Sequence, residues 1–127
     1  MKTTLLRFCL LAGALSVLAL ASARAQIVEF RAVINAAQET TGSTSPATGT
    51  AVLLYDVTAN TFDLSVTVND FANTITASHI HEGAEGVEGA VVTGLGGEAV
   101  YIRTGTTVRA MFTGVPHLGT PLVLLQN

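Results

Sequence analysis

Apolar residues at every second position limit most strongly what this chain can become. In Phe62-Asp63-Leu64-Ser65-Val66-Thr67-Val68 apolar and polar residues alternate without a break. Successive side chains of a strand point to opposite faces, so the pattern describes one buried face and one wet face. Val28, Phe30, Ala32 and Ile34 alternate likewise against Glu29 and Arg31, as do Ala51, Leu53, Tyr55 and Val57. Such runs predict half-buried antiparallel strands. Their Val, Ile, Thr and Phe content suits a pleated surface better than a helix. Beyond the first 25 residues no sustained 3.6-residue apolar stripe is present.

Turn residues divide these runs at short intervals. Thr58-Ala59-Asn60 joins two strongly alternating segments and reads as a hairpin connection. Thr40 to Thr50, Asn69 to Asn73, and Glu82 to Gly89 read as loops. Further strands are expected at Ala90–Leu95, Ala99–Arg103, Thr107–Val115 and Leu122–Leu125. Many short strands with frequent turns predict an all-β fold. The expected architecture is an antiparallel Greek-key β-sandwich, immunoglobulin-like or superoxide-dismutase-like, after an N-terminal signal helix.

That signal occupies the first 25 residues. Lys2 and Arg7 precede the largely apolar run Phe8–Ala21, and Ser22-Ala23-Arg24-Ala25 supplies the small residues of a cleavage site. This is the layout of a secretory signal peptide, and the run falls short of the ~20 residues of a spanning helix. Residues 26–127 then form one domain, expected in the periplasm, at the cell surface or outside the cell, with no membrane span after cleavage. The only cysteine, Cys9, lies within the signal. The exported domain would hold together without a disulfide, and thiol chemistry is closed to it.

Charge narrows the partners. Residues 26–127 carry three arginines (Arg31, Arg103, Arg109) against nine carboxylates, a net charge of −6. No basic stripe exists to neutralise phosphates, so nucleic acid is not an expected partner. The whole chain has no tryptophan and only seven aromatics, which gives little basis for a sugar-stacking platform.

His79-Ile80-His81 is the constellation that stands out. On a strand the two imidazoles share a face, with Cα atoms about 6.6 Å apart. Three roles fit such a pair. It can hold copper or zinc through neutral ring nitrogens, with Glu82, and then Glu85 and Glu88, as oxygen donors. It can donate ring N–H groups to loop carbonyls and hold the glycine-rich loop in place. It can also form part of a binding surface. Gly83, Gly86 and Gly89 recur at three-residue spacing in that loop but make no dinucleotide fingerprint, since no helix follows. No G-x-S-x-G or H-E-x-x-H motif occurs, and the chain is not expected to be an enzyme.

Taken together, Phe30-Arg31-Ala32, Gln38-Glu39, Pro46-Ala47-Thr48-Gly49-Thr50-Ala51 and Ala77-Ser78-His79-Ile80-His81-Glu82-Gly83-Ala84, followed by Gly89-Ala90-Val91-Val92, resemble the CHRD domain. The similarity runs from about Val28 to Asn127, and its most specific part is the stretch from His79 to Val92. It implies an extracellular, all-β module without catalytic residues, acting in binding or structure, with an extracellular or cell-surface protein as partner. Domains of this type usually continue with segments like Y-x-N-x-H-[ST] and G-E-[IL]-R-G, which do not follow Leu125 here. The resemblance therefore implies missing C-terminal strands and an exposed sheet edge open to self-association. A narrower similarity links Ser78–Glu82 to the His-x-His strand of copper–zinc superoxide dismutases. Those enzymes need a bridging histidine, further zinc ligands and a disulfide. Here only His117 remains, so dismutase activity is not expected.

Overall fold

The computed structural model describes residues 25–39, 42–84 and 86–120. The signal segment and the expected Leu122–Leu125 strand lie outside the described residues. Seven strands follow in order: β1 (Ile27–Asn35), β2 (Thr48–Asp56), β3 (Thr61–Asn69), β4 (Ser78–Glu82), β5 (Ala90–Gly96), β6 (Ile102–Thr104) and β7 (Thr107–Pro116). Short 3₁₀ turns occupy Ala36–Gln38 and Glu98–Val100. One sheet has the order β1-β2-β3-β7-β6, and β4 pairs with β5 in a second. All pairings are antiparallel. The all-β, antiparallel expectation holds.

The alternating runs become the long strands because their register keeps one face apolar throughout. Phe30 pairs with Leu53, and Leu53 pairs in turn with Leu64. Tyr55 pairs with Phe62, and Val66 with Ala110. A one-residue slip would move all of these to the solvent face. The β2–β3 hairpin closes where Thr58-Ala59-Asn60 predicts. The Asp56 carboxylate accepts the N–H groups of Thr58 and Ala59, each at 2.9 Å. Asn60 takes the left-handed conformation at φ 52°, which asparagine tolerates better than most residues.

Tyr55, Phe62 and Leu64 form the buried centre, and Ile80 of β4 and Leu95 of β5 pack onto them from the second sheet. The second sheet has two strands among the described residues, so it covers only part of the first. Phe30, on the inward face of β1, remains 43% exposed.

Two local readings differ. Ala99–Arg103 is not one strand: Glu98–Val100 is a 3₁₀ turn and only Ile102–Thr104 is extended. Glu98 causes this, because its backbone N–H donates to Ile75 O at 2.8 Å while its carboxylate holds Arg103. The chain is pinned there before the strand begins. The segment expected as a loop to Thr50 ends earlier, since Thr48–Thr50 already pair with β1 and β3.

Candidate functional site: paired histidines beside a glycine-necked loop

β4 is the element that builds the site. Its central Ile80 faces the core, so His79 and His81 fall on the other side, and both are exposed. Their rings lie edge to face with centroids 5.4 Å apart. The period-2 expectation for the pair is met. β5 is bulged twice opposite β4, between the partners of Ser78 and His79 and between those of Ile80 and His81. Bulges re-aim side chains locally, and these two frame the histidine pair.

His81 has a defined proton. Its Nδ1 lies 2.8 Å from Gly89 O. A carbonyl only accepts, so Nδ1 carries the hydrogen, and the neutral ring keeps its free lone pair on Nε2. The bond ties β4 to the far end of the loop, which is the loop-holding role read from the sequence.

The three glycines divide their work. A Cβ on Gly83 would lie 2.9 Å from Gly89 Cα. A Cβ on Gly89 would lie 2.8 Å from Gly83 N and closer still to Glu82 O. These two positions form a neck where backbone meets backbone with no room for a side chain. Gly86, at φ +73°, has open space around it and serves the turn at the tip. There Val87 N–H donates to Ala84 O at 3.1 Å. The loop presents Val87, which is 62% exposed, with Glu88 exposed beside it. Glu85 lies outside the described residues.

Glu82 turns to a different neighbour. Its Oε2 accepts the Thr120 N–H at 2.8 Å. Thr120, through its side chain and its backbone N–H, holds the Glu82 carboxyl below the ordinary glutamate range, and the charge of His117 adds to this. His117 Nε2 lies 3.0 Å from Thr120 O, so it is the donor there, and the ring meets Tyr55 edge-on at 5.8 Å. Glu82 and His117 thus fasten the turn after β7, and together with His81 they line one small cavity over Leu53, Tyr55 and Phe62. Among the described residues, no group of three or more His, Cys, Asp or Glu is arranged to hold a metal ion.

Other working residues gave no clear sequence signal. Arg103 joins Glu98 by two hydrogen bonds and donates to Phe71 O at 2.6 Å and Asn73 O at 2.9 Å. Glu98 also accepts Ile75 N–H at 2.9 Å. These bonds, from Arg103 first and Ile75 second, hold the Glu98 carboxyl down to about 2. The clamp fastens the β3–β4 connection beside a cleft of ≈ 490 Å³ lined by Ile34, Val66, Val68, Phe71, Ile75 and Tyr101. A Glu and an Arg five residues apart were the only hint of it.

No curated protein and no solved structure gives a significant match. The family model for the CHRD domain matches residues 30–120, which include the histidine pair and the whole glycine loop. The chain belongs to the CHRD-domain family.

Proposed function

We propose that this chain is an exported, non-catalytic binding module that contacts an extracellular or cell-surface protein through the loop between Gly83 and Gly89. Membership of the CHRD family supports a non-catalytic binding or structural role. The observation that carries the finer reading is the glycine neck with its His81 bond. A loop fixed at its base loses little conformational freedom on binding, and such pre-organisation favours affinity. Its apolar tip at Val87, with the exposed Glu88 carboxylate beside it, suits a small apolar pocket with a basic residue at its rim. Expression of the full chain tests export: the mature protein should be found outside the cytoplasm and begin at Gln26. Binding of purified chain to the source cells should fall at least tenfold in Val87→Asp and Glu88→Lys, and stay unchanged in Ser65→Asp on the opposite face.

A second reading is a copper or zinc site on His79 and His81. The observation that favours it is the Nδ1–H bond from His81 to Gly89 O, which leaves Nε2 as a free and oriented donor. The ion would take two imidazole nitrogens from the chain and complete its shell with water. Titration with each metal tests it, with His79→Ala/His81→Ala as the control.

A further inference from the structure

Among the described residues the first sheet ends on one side in β1, and β1 lacks most of the features that protect a sheet edge. It pairs with β2 without a break in register over nine residues, from Ile27 to Asn35. It contains no proline, no lysine and no bulge. The other edge strand, β6, has three residues, and the β4–β5 pair is bulged twice. Long, regular edges with exposed apolar residues are templates for pairing. Ile27 and Val33 are 54% and 61% exposed on one face, and Phe30 is exposed on the other.

The hydrogen-bonding groups that this edge turns away from β2 can be identified. Gln26 O accepts Val57 N–H at 3.0 Å, one step beyond the pair Ile27–Asp56. Antiparallel strands turn alternate residues toward the partner. The even-numbered residues of β1 therefore bond to β2, and Ile27, Glu29, Arg31 and Val33 turn their N–H and C=O groups outward.

We infer that this edge binds a second copy of the chain, by antiparallel pairing of β1 with β1 about a two-fold axis through Phe30. The sequence is nearly self-complementary about that residue. Glu29 falls opposite Arg31 of the second copy, and Arg31 opposite its Glu29. Ile27 faces Val33, Val28 faces Ala32, and Phe30 meets Phe30. Opposite charges and apolar pairs directly across strands stabilise a sheet, while like charges destabilise it. Centring the axis on Arg31 or on Glu29 instead sets like charges against each other. An odd register sets the apolar face of one copy beside the polar face of the other. Only the Phe30-centred register matches charge, face and the outward hydrogen-bonding groups together. Glu29 and Arg31 already form an ion pair within one copy, so both side chains lie together on the outer face of the edge. The two uncovered Phe30 rings would cover one another on the inner face.

This inference stands independently of the loop reading. Sedimentation of the full chain at about 100 µM tests it. The expected result is a dimer that dissociates at least tenfold more readily in Arg31→Glu and in Glu29→Arg. Combining the two substitutions should restore it, because the pairing then survives with its charges exchanged. Val33→Pro removes one outward N–H and leaves the β1–β2 bonds intact, so it should give a folded monomer with unchanged circular dichroism. A native chain that stays monomeric overturns the inference. So does an oligomer indifferent to Arg31→Glu, as association through residues 1–24 would be, or one that the double exchange fails to restore.

Discussion

Placing a methyl group on Gly89 should open the loop at its base. The new Cβ would lie 2.8 Å from Gly83 N and nearer still to Glu82 O, and both are backbone atoms. Backbone cannot rotate aside as a side chain can, so the two ends of the loop must part. Overpacking of this kind costs about 1–3 kcal/mol. Parting also breaks the bond from His81 Nδ1 to Gly89 O, for about 1 kcal/mol more. Gly89→Ala should therefore lose about 3 kcal/mol. At about 4–8 °C per kcal/mol for a domain of this size, Tm falls by about 12–24 °C. Gly86→Ala is the internal control. Nothing lies within 4 Å of its Cβ, and only its φ of +73° resists the change. That costs about 1 kcal/mol, or about 4–8 °C. Thermal melts followed by circular dichroism give both numbers, and the ring N–H resonance of His81 reports whether its bond survives. If Gly86→Ala costs as much as Gly89→Ala, the neck is not where the structure places it and the division of labour among the three glycines is wrong.

Three further outcomes follow from other parts of the molecule. Asn60 accepts the Tyr55 hydroxyl at 2.5 Å and donates to His117 O at 3.0 Å. Asn60→Gly should cost about 2–3 kcal/mol for these bonds, and Asn60→Ala about 1 kcal/mol more for its left-handed backbone, read by denaturant titration. Glu98 is held down to about 2, against an ordinary value of 4.5, by Arg103 and then by Ile75 N–H. A depressed carboxylate stabilises the fold above its unfolded pKa, and this is lost as pH falls from about 4.5 through about 2. The Tm gap between native chain and Glu98→Gln should then be full at neutral pH and close in that window; a gap constant down to pH 2 contradicts the clamp. If copper or zinc binds His79 and His81, metal at a hundredfold excess over Kd should stabilise the chain by about 2.7 kcal/mol. The His79→Ala/His81→Ala chain should show no such gain, and a gain that persists there refutes that site.

The strands were legible because their signal is local. Alternation from Phe62 to Val68 and from Val28 to Ile34 determines which face of each strand turns inward; β3 buries Phe62 and Leu64 as read, while β1, only partly covered, leaves Phe30 and Ala32 exposed. The hairpin at Thr58–Asn60 was legible for the same reason, since a single asparagine can adopt the required backbone. Glu98–Val100 was not, because the turn is pinned by the bond from Glu98 N–H to Ile75 O, 23 residues away, with Arg103 holding the carboxylate. At the site, spacing alone placed His79 and His81 side by side. The sequence also marked the three glycines, but their roles depend on Gly83 and Gly89 meeting across the loop. That contact is a tertiary fact, invisible in a spacing of three. Glu82 stood beside the histidines in sequence yet turns to Thr120, 38 residues away.

The central claim is that the loop between Gly83 and Gly89 is the surface that meets a partner. Site-specific photo-crosslinking tests it most directly. A photoreactive residue replaces Val87 in one chain and Ser65, on the outer face of the first sheet, in another, and both are exposed to the source cells under identical light. The account predicts one discrete adduct from position 87, competed away by unlabelled native chain, and none from position 65. Equal labelling from both positions, or an adduct only from position 65, would contradict it.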